Sequence, residues 1–408
     1  MVTVRSKIIM PEKNVDCCVI GGGMVGASLA LGLAKQSYKV ALIEKQSLAP
    51  FNTAQAPDIR LSALNMHAVN LLSSMGAWQH VQKMRYRSYN TLSVWDGEST
   101  KVCDNITNKK GITQFTAAEI NQPLLGYFVE NRLIQLALYE EIKANYTSEV
   151  ECIHEQAVTH VDVNKGRVSL SNGRVIESAI ILGADGANSQ LRQAAGIPIN
   201  GWQYAQKANA VLIQTKHKVA DETWQAFYAT GPRALLPMHD NYACLVWYHD
   251  AAKSDWIQKA SKQELKAAIN LYFPDLIGDF DIVEVAGFPL TRMHAQRYGQ
   301  GKVIIAGDAA HAINPLAGQG VNLGFKDVAA ILDVIHSKGL QDPKAIIDSY
   351  EQKRRLPNLL MMSTMDVLYH SFSTSFMPMK IVRGIGLAVA HKAGPVKQRA
   401  LKYAMGLV

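Results

Sequence analysis

At 408 residues the chain exceeds what one ordinary core organises, so two domains or an interleaved pair are expected. Hydrophobic residues make up 48% and charged residues 19%, the balance of a soluble globular protein, and no run of about eighteen apolar residues offers a transmembrane helix. The formal net charge is +8, but no nucleic-acid motif accompanies it, so no nucleic-acid partner is expected.

The first residues, MVTVRSKIIMPEKN, hold no apolar run of the kind a secretory signal needs. Five cysteines (Cys17, Cys18, Cys103, Cys152 and Cys244) are odd in number and lack C-x-x-C spacing. A disulfide framework and a metal site are therefore not expected, and a reducing cytoplasm is.

In chain order, VDCCVI (Val15 to Ile20) reads as a buried strand, GGGMVG as a glycine turn and ASLALGLAKQ as a helix. Gly21, Gly23 and Gly26 form G-x-G-x-x-G: the first makes the tight turn, the second admits a pyrophosphate, and the third lets helix and strand pack closely. Free N–H groups at the helix start suit phosphate oxygens. The next apolar run, KVALIE, ends in Glu44, eighteen positions after Gly26, where an acid can hold the ribose hydroxyls of an adenosine. An anion there also argues against a 2′-phosphate.

Further on, TLSVW, RALLPM and YACLVWYHD alternate as strands of an antiparallel sheet with one buried face. AIILGADGANSQLR is an apolar strand followed by Asp185-Gly186, with Ser189 and Arg192 opening a helix; a plain turn capped by Ser189 is the competing reading. KVIIA then runs into GDAAHAINPLAGQG (Gly307 to Gly320), an acid among small residues at a strand end. One fingerprint plus two further strand-end acids suits a ligand longer than a mononucleotide, and that points to FAD rather than a nicotinamide. Asp308 can accept from ribityl hydroxyls. Gly318, Gly320 and the helix beginning near Val321 can approach an isoalloxazine edge, where N–H groups stabilise the charge of reduced flavin. Pro315, its φ fixed and its N–H missing, rigidifies the loop beside the flavin. His311, packed among alanines, reads as structural.

Strand-helix-strand patterns place 1–78, 116–198 and 295–340 in a discontinuous Rossmann-like domain with a parallel sheet. An antiparallel-sheet substrate domain, 79–115 and 199–294, is interleaved with it, and 341–408 forms a helical C-terminus. From Glu351 onward, nine Lys or Arg face two acids, Glu351 and Asp366, and mix with LLMM, MPM and IGLAVA. Peripheral contact with an anionic membrane is one reading of this tail; solvated helices are the other.

The three motifs in this order resemble the FAD-dependent aromatic hydroxylases of the para-hydroxybenzoate hydroxylase type. Beyond them, GYFVENRLIQLAL, GWQYAQ, GPRALLPM, CLVWY, FPLTRMHA and ALKYAMGL resemble the ubiquinone-biosynthesis hydroxylases from end to end. The resemblance implies an FAD enzyme that uses NAD(P)H and O2 to hydroxylate the ring of a polyprenylated benzoquinol, most closely 2-polyprenyl-3-methyl-6-methoxy-1,4-benzoquinol, through a flavin C4a-hydroperoxide. It assigns Gly21, Gly23 and Gly26 to pyrophosphate, Glu44 to ribose, Arg60 to the flavin end and Asn131 to the phosphates, with Arg132 beside it. Asp185 and Gly186 serve FAD and the pyridine nucleotide, Asp308 the ribityl chain, and Gly320, Val321 and Asn322 the flavin edge. The location expected is cytoplasmic and peripheral to the inner membrane through the basic C-terminus, with a quinone-biosynthesis enzyme complex as an expected partner. Another ring position, an oxygen-independent flavin reductase and a non-catalytic flavoprotein subunit are the alternatives.

Overall fold

The computed structural model describes residues 13–98, 111–274, 276–314, 320–372, 397–399, 401–402 and 405–406. The strand Lys13–Ile20 pairs in parallel with Val40–Glu44 on one side and Val175–Gly183 on the other. Val150–His154 and Val303–Ile305 extend the parallel sheet outward, and a short antiparallel ribbon, Val158–Asp162 with Arg167–Leu170, joins at Val175–Gly183. The central stretches of these strands, Cys17 to Ile20, Val40 to Ile43 and Ile180 to Leu182, are apolar and buried because helices cover both faces. Cys17 and Cys18 are fully buried within this sheet and act as small hydrophobes; burial pushes the Cys18 thiol up to about 12. The main core joins the sheet to the helices Met24–Lys35, Asn131–Asn145 and Gly320–Lys338.

A second sheet is built on two long antiparallel strands, Ile199–Thr215 and Phe280–Ala295, and continues through Tyr242–Asp250, Arg233–Pro237, Glu222–Phe227, Thr91–Asp96 and Ile112–Thr116. One face packs on the helices Ala251–Lys259 and Lys262–Tyr272. The two sheets are stitched where His311–Ala312, directly after the Asp308 turn, pairs with His294 and Met293 at the edge of Phe280–Ala295. Leu61–Asn65, Gly126–Glu130 and Arg87–Tyr89 form a small third sheet.

The last long helix, Pro343–Phe372, packs Met361, Met362 and Met365 against Tyr204, Leu290 and Leu323. The two methionines of LLMM are therefore core, not surface contacts. Leu401 and Met405 pack on Ala117, Ile120 and Leu125. Lys397, one of the nine basic residues for which membrane contact and solvation are the two readings, is buried in an ion pair with Glu119 at 2.6 Å and lies over the Phe115 ring. Among the described residues no helix is long and apolar enough to cross a membrane.

Candidate active site

The turn after the first strand is built from glycines with separate steric reasons. Gly21 has φ +93°, and a Cβ there would meet the Ala184 carbonyl oxygen at 2.5 Å. A Cβ on Gly26 would stand 1.7 Å from the Gly21 carbonyl oxygen, so the helix lies on the strand end only because that atom is missing. Gly23, which caps the helix Met24–Lys35 without a side-chain hydrogen bond, meets nothing within 4 Å and opens onto a cavity. Sequence reasoning passed over Gly22: a Cβ there would strike the Tyr139 hydroxyl at 2.1 Å.

That cavity, about 840 Å³, is lined by Gly21, Gly23, Glu44, Lys45, Asp185 and the ribbon around Thr159. The Glu44 carboxylate accepts from the backbone N–H groups of Gly22 at 2.6 Å and Gln46 at 3.0 Å. These two bonds aim it into the cavity and leave acceptor sites free for hydroxyls. Asp185 caps the short helix Gln190–Ala194, its Oδ2 accepting from Gln190 and Leu191, while Oδ1 is buried and unpartnered. Ser189 adds a second cap to the N–H of Arg192.

A second cavity of about 920 Å³ adjoins the first, Ala184 and Asn188 lining both. Met24 and Val25 of the fingerprint helix form part of its wall, and so do Ser62, Asn131, Gly186, Arg192, Asp308, Gly320 and Val321. Val25 organises this end. Gly307, at φ +58°, and Gly324 both present only hydrogen to it; a Cβ on Gly324 would lie 2.7 Å from Val25 Cγ2. The start of the helix Gly320–Lys338 is thereby drawn to the cavity wall. Asp308 projects into the cavity, reached by water but surrounded by protein. That surrounding raises its carboxyl above the ordinary range, with His311 opposing.

Beneath the Asp308 turn lies a buried charge network. Asp327 Oδ2 accepts from the Gly307 N–H at 3.1 Å and meets His311 Nε2 at 2.5 Å. Its Oδ1 accepts from Arg354 at 2.8 Å and Asn358 at 3.2 Å. Burial alone would raise this carboxyl, but the charges and hydrogen bonds of His311 and Arg354 outweigh it and hold it at about 2. His311 is therefore held as a structural partner. Arg192, also buried, donates to the carbonyls of Ala309 and Ala187, both at 2.9 Å.

Several expected residues sit differently. Asn322 is buried, its amide donating to Ala63 and accepting from the Asn65 N–H, so its side chain ties helix to strand and only its backbone is left for a ligand. Arg132 donates to the carbonyls of Ala49 and Pro50 on the exposed side, which removes it as a second cation beside Asn131. Asn131 lines the larger cavity, its Oδ1 accepting from Ser62 at 2.6 Å. The Arg60 side chain is exposed and lines neither cavity. Pro315 and Gly318 lie outside the described residues.

The far wall of the larger cavity comes from the second sheet. Trp202 and Arg292 are cross-strand neighbours on the two long strands, and the guanidinium lies 4.4 Å from the Trp202 ring centroid. Ile199 and Phe288, both well exposed, continue this wall toward solvent.

These features fit an FAD. A dinucleotide carrying a flavin needs two chambers meeting near its pyrophosphate, a glycine cradle open on the ligand side, and acceptors for its hydroxyls. The joined cavities, the open Gly23, and the carboxylates of Glu44 and Asp308 supply each. In agreement, residues 14–362 match the FAD binding domain family, and the chain belongs to it. Over 402 residues it is 40% identical to the 3-demethoxyubiquinol 3-hydroxylase of Escherichia coli (strain K12), covering 98% of this chain and 100% of that protein. It is 30% identical to the mitochondrial ubiquinone biosynthesis monooxygenase COQ6 of Danio rerio, with 95% and 89% covered. The fold is that of solved flavin monooxygenases. The p-nitrophenol 4-monooxygenase PnpA of Pseudomonas putida DLL-E4 superposes with a TM-score of 0.75 at 17% identity, covering 96% of this chain and 98% of that one. PqsL of Pseudomonas aeruginosa, a probable FAD-dependent monooxygenase, gives 0.73 at 19%, covering 92% and 99%.

Proposed function

We propose that this protein is an FAD-dependent monooxygenase of ubiquinone biosynthesis that hydroxylates the ring of a polyprenylated benzoquinol, in the manner of 3-demethoxyubiquinol 3-hydroxylase. The observation that carries the reading is the 40% identity to that enzyme along the whole of both chains, shared by a fold with two joined chambers. On this reading the substrate is 2-polyprenyl-3-methyl-6-methoxy-1,4-benzoquinol.

Gly21, Gly23 and Gly26 with the helix start behind them hold the pyrophosphate, and Glu44 takes the adenosine ribose. Asp185, with its free oxygen, and Gly186 lie at the junction of the chambers. Asp308 accepts from the ribityl hydroxyls, and the N-terminus of Gly320–Lys338 stabilises negative charge at the flavin edge. An FAD held by these residues would supply the O2 activation, with NAD(P)H as reductant, one oxygen atom going to the ring and the other leaving as water. The chain's own work is to place the ring, shield the site from water with the second sheet, and keep the Asp308 turn rigid over its buried network. A quinol carries two activating hydroxyls, so no strong dedicated base is required. The parallel-sheet unit thus holds the cofactor, the second sheet the substrate, and the C-terminal helices complete the wall.

The enzyme works at the inner membrane surface, where its lipid substrate resides, and beside other quinone-biosynthesis enzymes. Leu356, Leu360 and Val367 support this: they are exposed, and their spacing puts them on one face of the last long helix. Arg399 and Lys402 are exposed as well. The decisive test incubates purified protein with NAD(P)H, O2 and a short-tailed quinol. O2 consumption matched by hydroxylated product is expected, whereas substrate turnover without O2 would identify a reductase instead.

A further inference from the structure

We propose that Arg292 is the residue that selects and orients the substrate ring, by donating to two neighbouring ring oxygens, the hydroxyl and the adjacent methoxy. The inference rests on the quinol hydroxylase reading above and adds to it the identity of the recognising group.

Arg292 is the cation that the second sheet contributes to the lining of the larger cavity. Its position is fixed from two directions. Nε donates to Asp366 Oδ2 at 2.6 Å, and Asp366 is braced by the Tyr204 hydroxyl on its other oxygen. The guanidinium plane rests on Trp202, 4.4 Å from the ring centroid, with Trp202 directly across the strand pair. The side chain retains only 12% exposure, yet among the described residues its two terminal nitrogens have no acceptor. A guanidinium held rigid by Asp366 and Trp202, with its outer N–H groups unmatched and facing the cavity, is prepared for an incoming acceptor.

The geometry of those groups narrows the ligand. Two N–H bonds of a guanidinium point forward as a fork, which matches a pair of oxygens on adjacent atoms better than one isolated oxygen. On the proposed substrate the 1-hydroxyl and 6-methoxy oxygens form such a pair. Once the ring is seated against the guanidinium, a ring without the methoxy group leaves one N–H unmatched, the arrangement that separates close analogues. Asp366 and Trp202 act through Arg292 as positioning residues.

The test compares two short-tailed quinols, one with the 6-methoxy group and one without, on the FAD-loaded wild type, Arg292→Gln and Arg292→Lys. The proposal expects wild type to favour the methoxy quinol, and Arg292→Gln to raise KM for it by tenfold or more and bring the preference close to unity. Arg292→Lys keeps the charge but not the fork, and should recover part of the KM and little of the preference. FAD content should stay equal in all three. If Arg292→Gln keeps both KM and the preference, Arg292 is only a tie between strand and helix and the proposal falls. If Arg292→Gln does not fold, the preference of Arg292→Lys decides alone, and a wild-type value there overturns the proposal. A wild type that hydroxylates neither quinol refutes the underlying function, an outcome separate from any of these.

Discussion

The carboxylate of Asp327 lies 2.5 Å from Nε2 of His311, with both side chains sealed from water. The two residues sit on different elements: one on the helix whose start faces the larger cavity, the other directly after the Asp308 turn. Because Asp327 also receives the Gly307 N–H and the Arg354 guanidinium, one buried charge fixes turn, helix and C-terminal helix together.

Replacing Asp327 by Asn should therefore destabilise the protein by ~3–5 kcal/mol, since it leaves a buried arginine without its counter-charge. Chemical denaturation measures this directly. The sign of its pH dependence follows from a folded value of about 2 against an unfolded value near ~3.9. The stabilisation is complete above the unfolded value and fades as pH falls from about 4 toward 2. The Asn variant should lack this acid-side decline.

His294 carries an expectation of the same sign at higher pH. Burial, reinforced by His311 and Arg355, lowers it to about 4, so between about pH 6.5 and 4 the unfolded chain binds the proton and the folded one does not. Stability should fall as pH drops through this window. His294→Gln should flatten the slope of the urea midpoint against pH there, and an unchanged slope would show that the imidazole does not set it.

Two fingerprint glycines should fail in different ways. Gly26→Ala puts a methyl 1.7 Å from a carbonyl oxygen and is expected to abolish the folded protein. Gly23→Ala enters open space at an ordinary backbone angle, so circular dichroism should be native while bound flavin is lost. Retained flavin in Gly23→Ala would contradict the pyrophosphate placement.

Asp308→Ala should weaken FAD binding by ~1.5–3 kcal/mol, the range for a hydrogen bond to a charged group, and perturb the visible spectrum of what remains bound. Glu44→Gln, at the other chamber, should weaken binding with the spectrum unmoved. Titration of the apoprotein with FAD, followed by absorbance, reads both.

The tail residues divide by what they touch. Lys397→Glu sets two like charges together beside Glu119 and should lower the melting temperature. Arg399→Glu with Lys402→Glu should leave the melting temperature alone and reduce sedimentation with anionic liposomes, roughly ~1 kcal/mol for each charge that lies near the surface. Unchanged sedimentation would remove these two positions from the membrane contact.

The sequence by itself determined whatever is written at short range. Strand, glycine turn and helix in Val15 to Gly26, the acid at Glu44, and the small-residue turn around Asp308 each depend on neighbours a few positions apart, and backbone sterics there admit few alternatives. The order of these motifs also identified the cofactor. Only the tertiary structure decided which side chains meet across the chain. Arg292 and Asp366 are 74 positions apart, and Lys397 and Glu119 are 278 apart. Nothing in the periodicity of either segment marks its partner. The same holds for Asn322, which reads as a loop-to-helix residue near a ligand until packing turns its amide onto Ala63 and Asn65. A buried polar group takes the partner that packing brings within reach, and packing is a property of the whole fold.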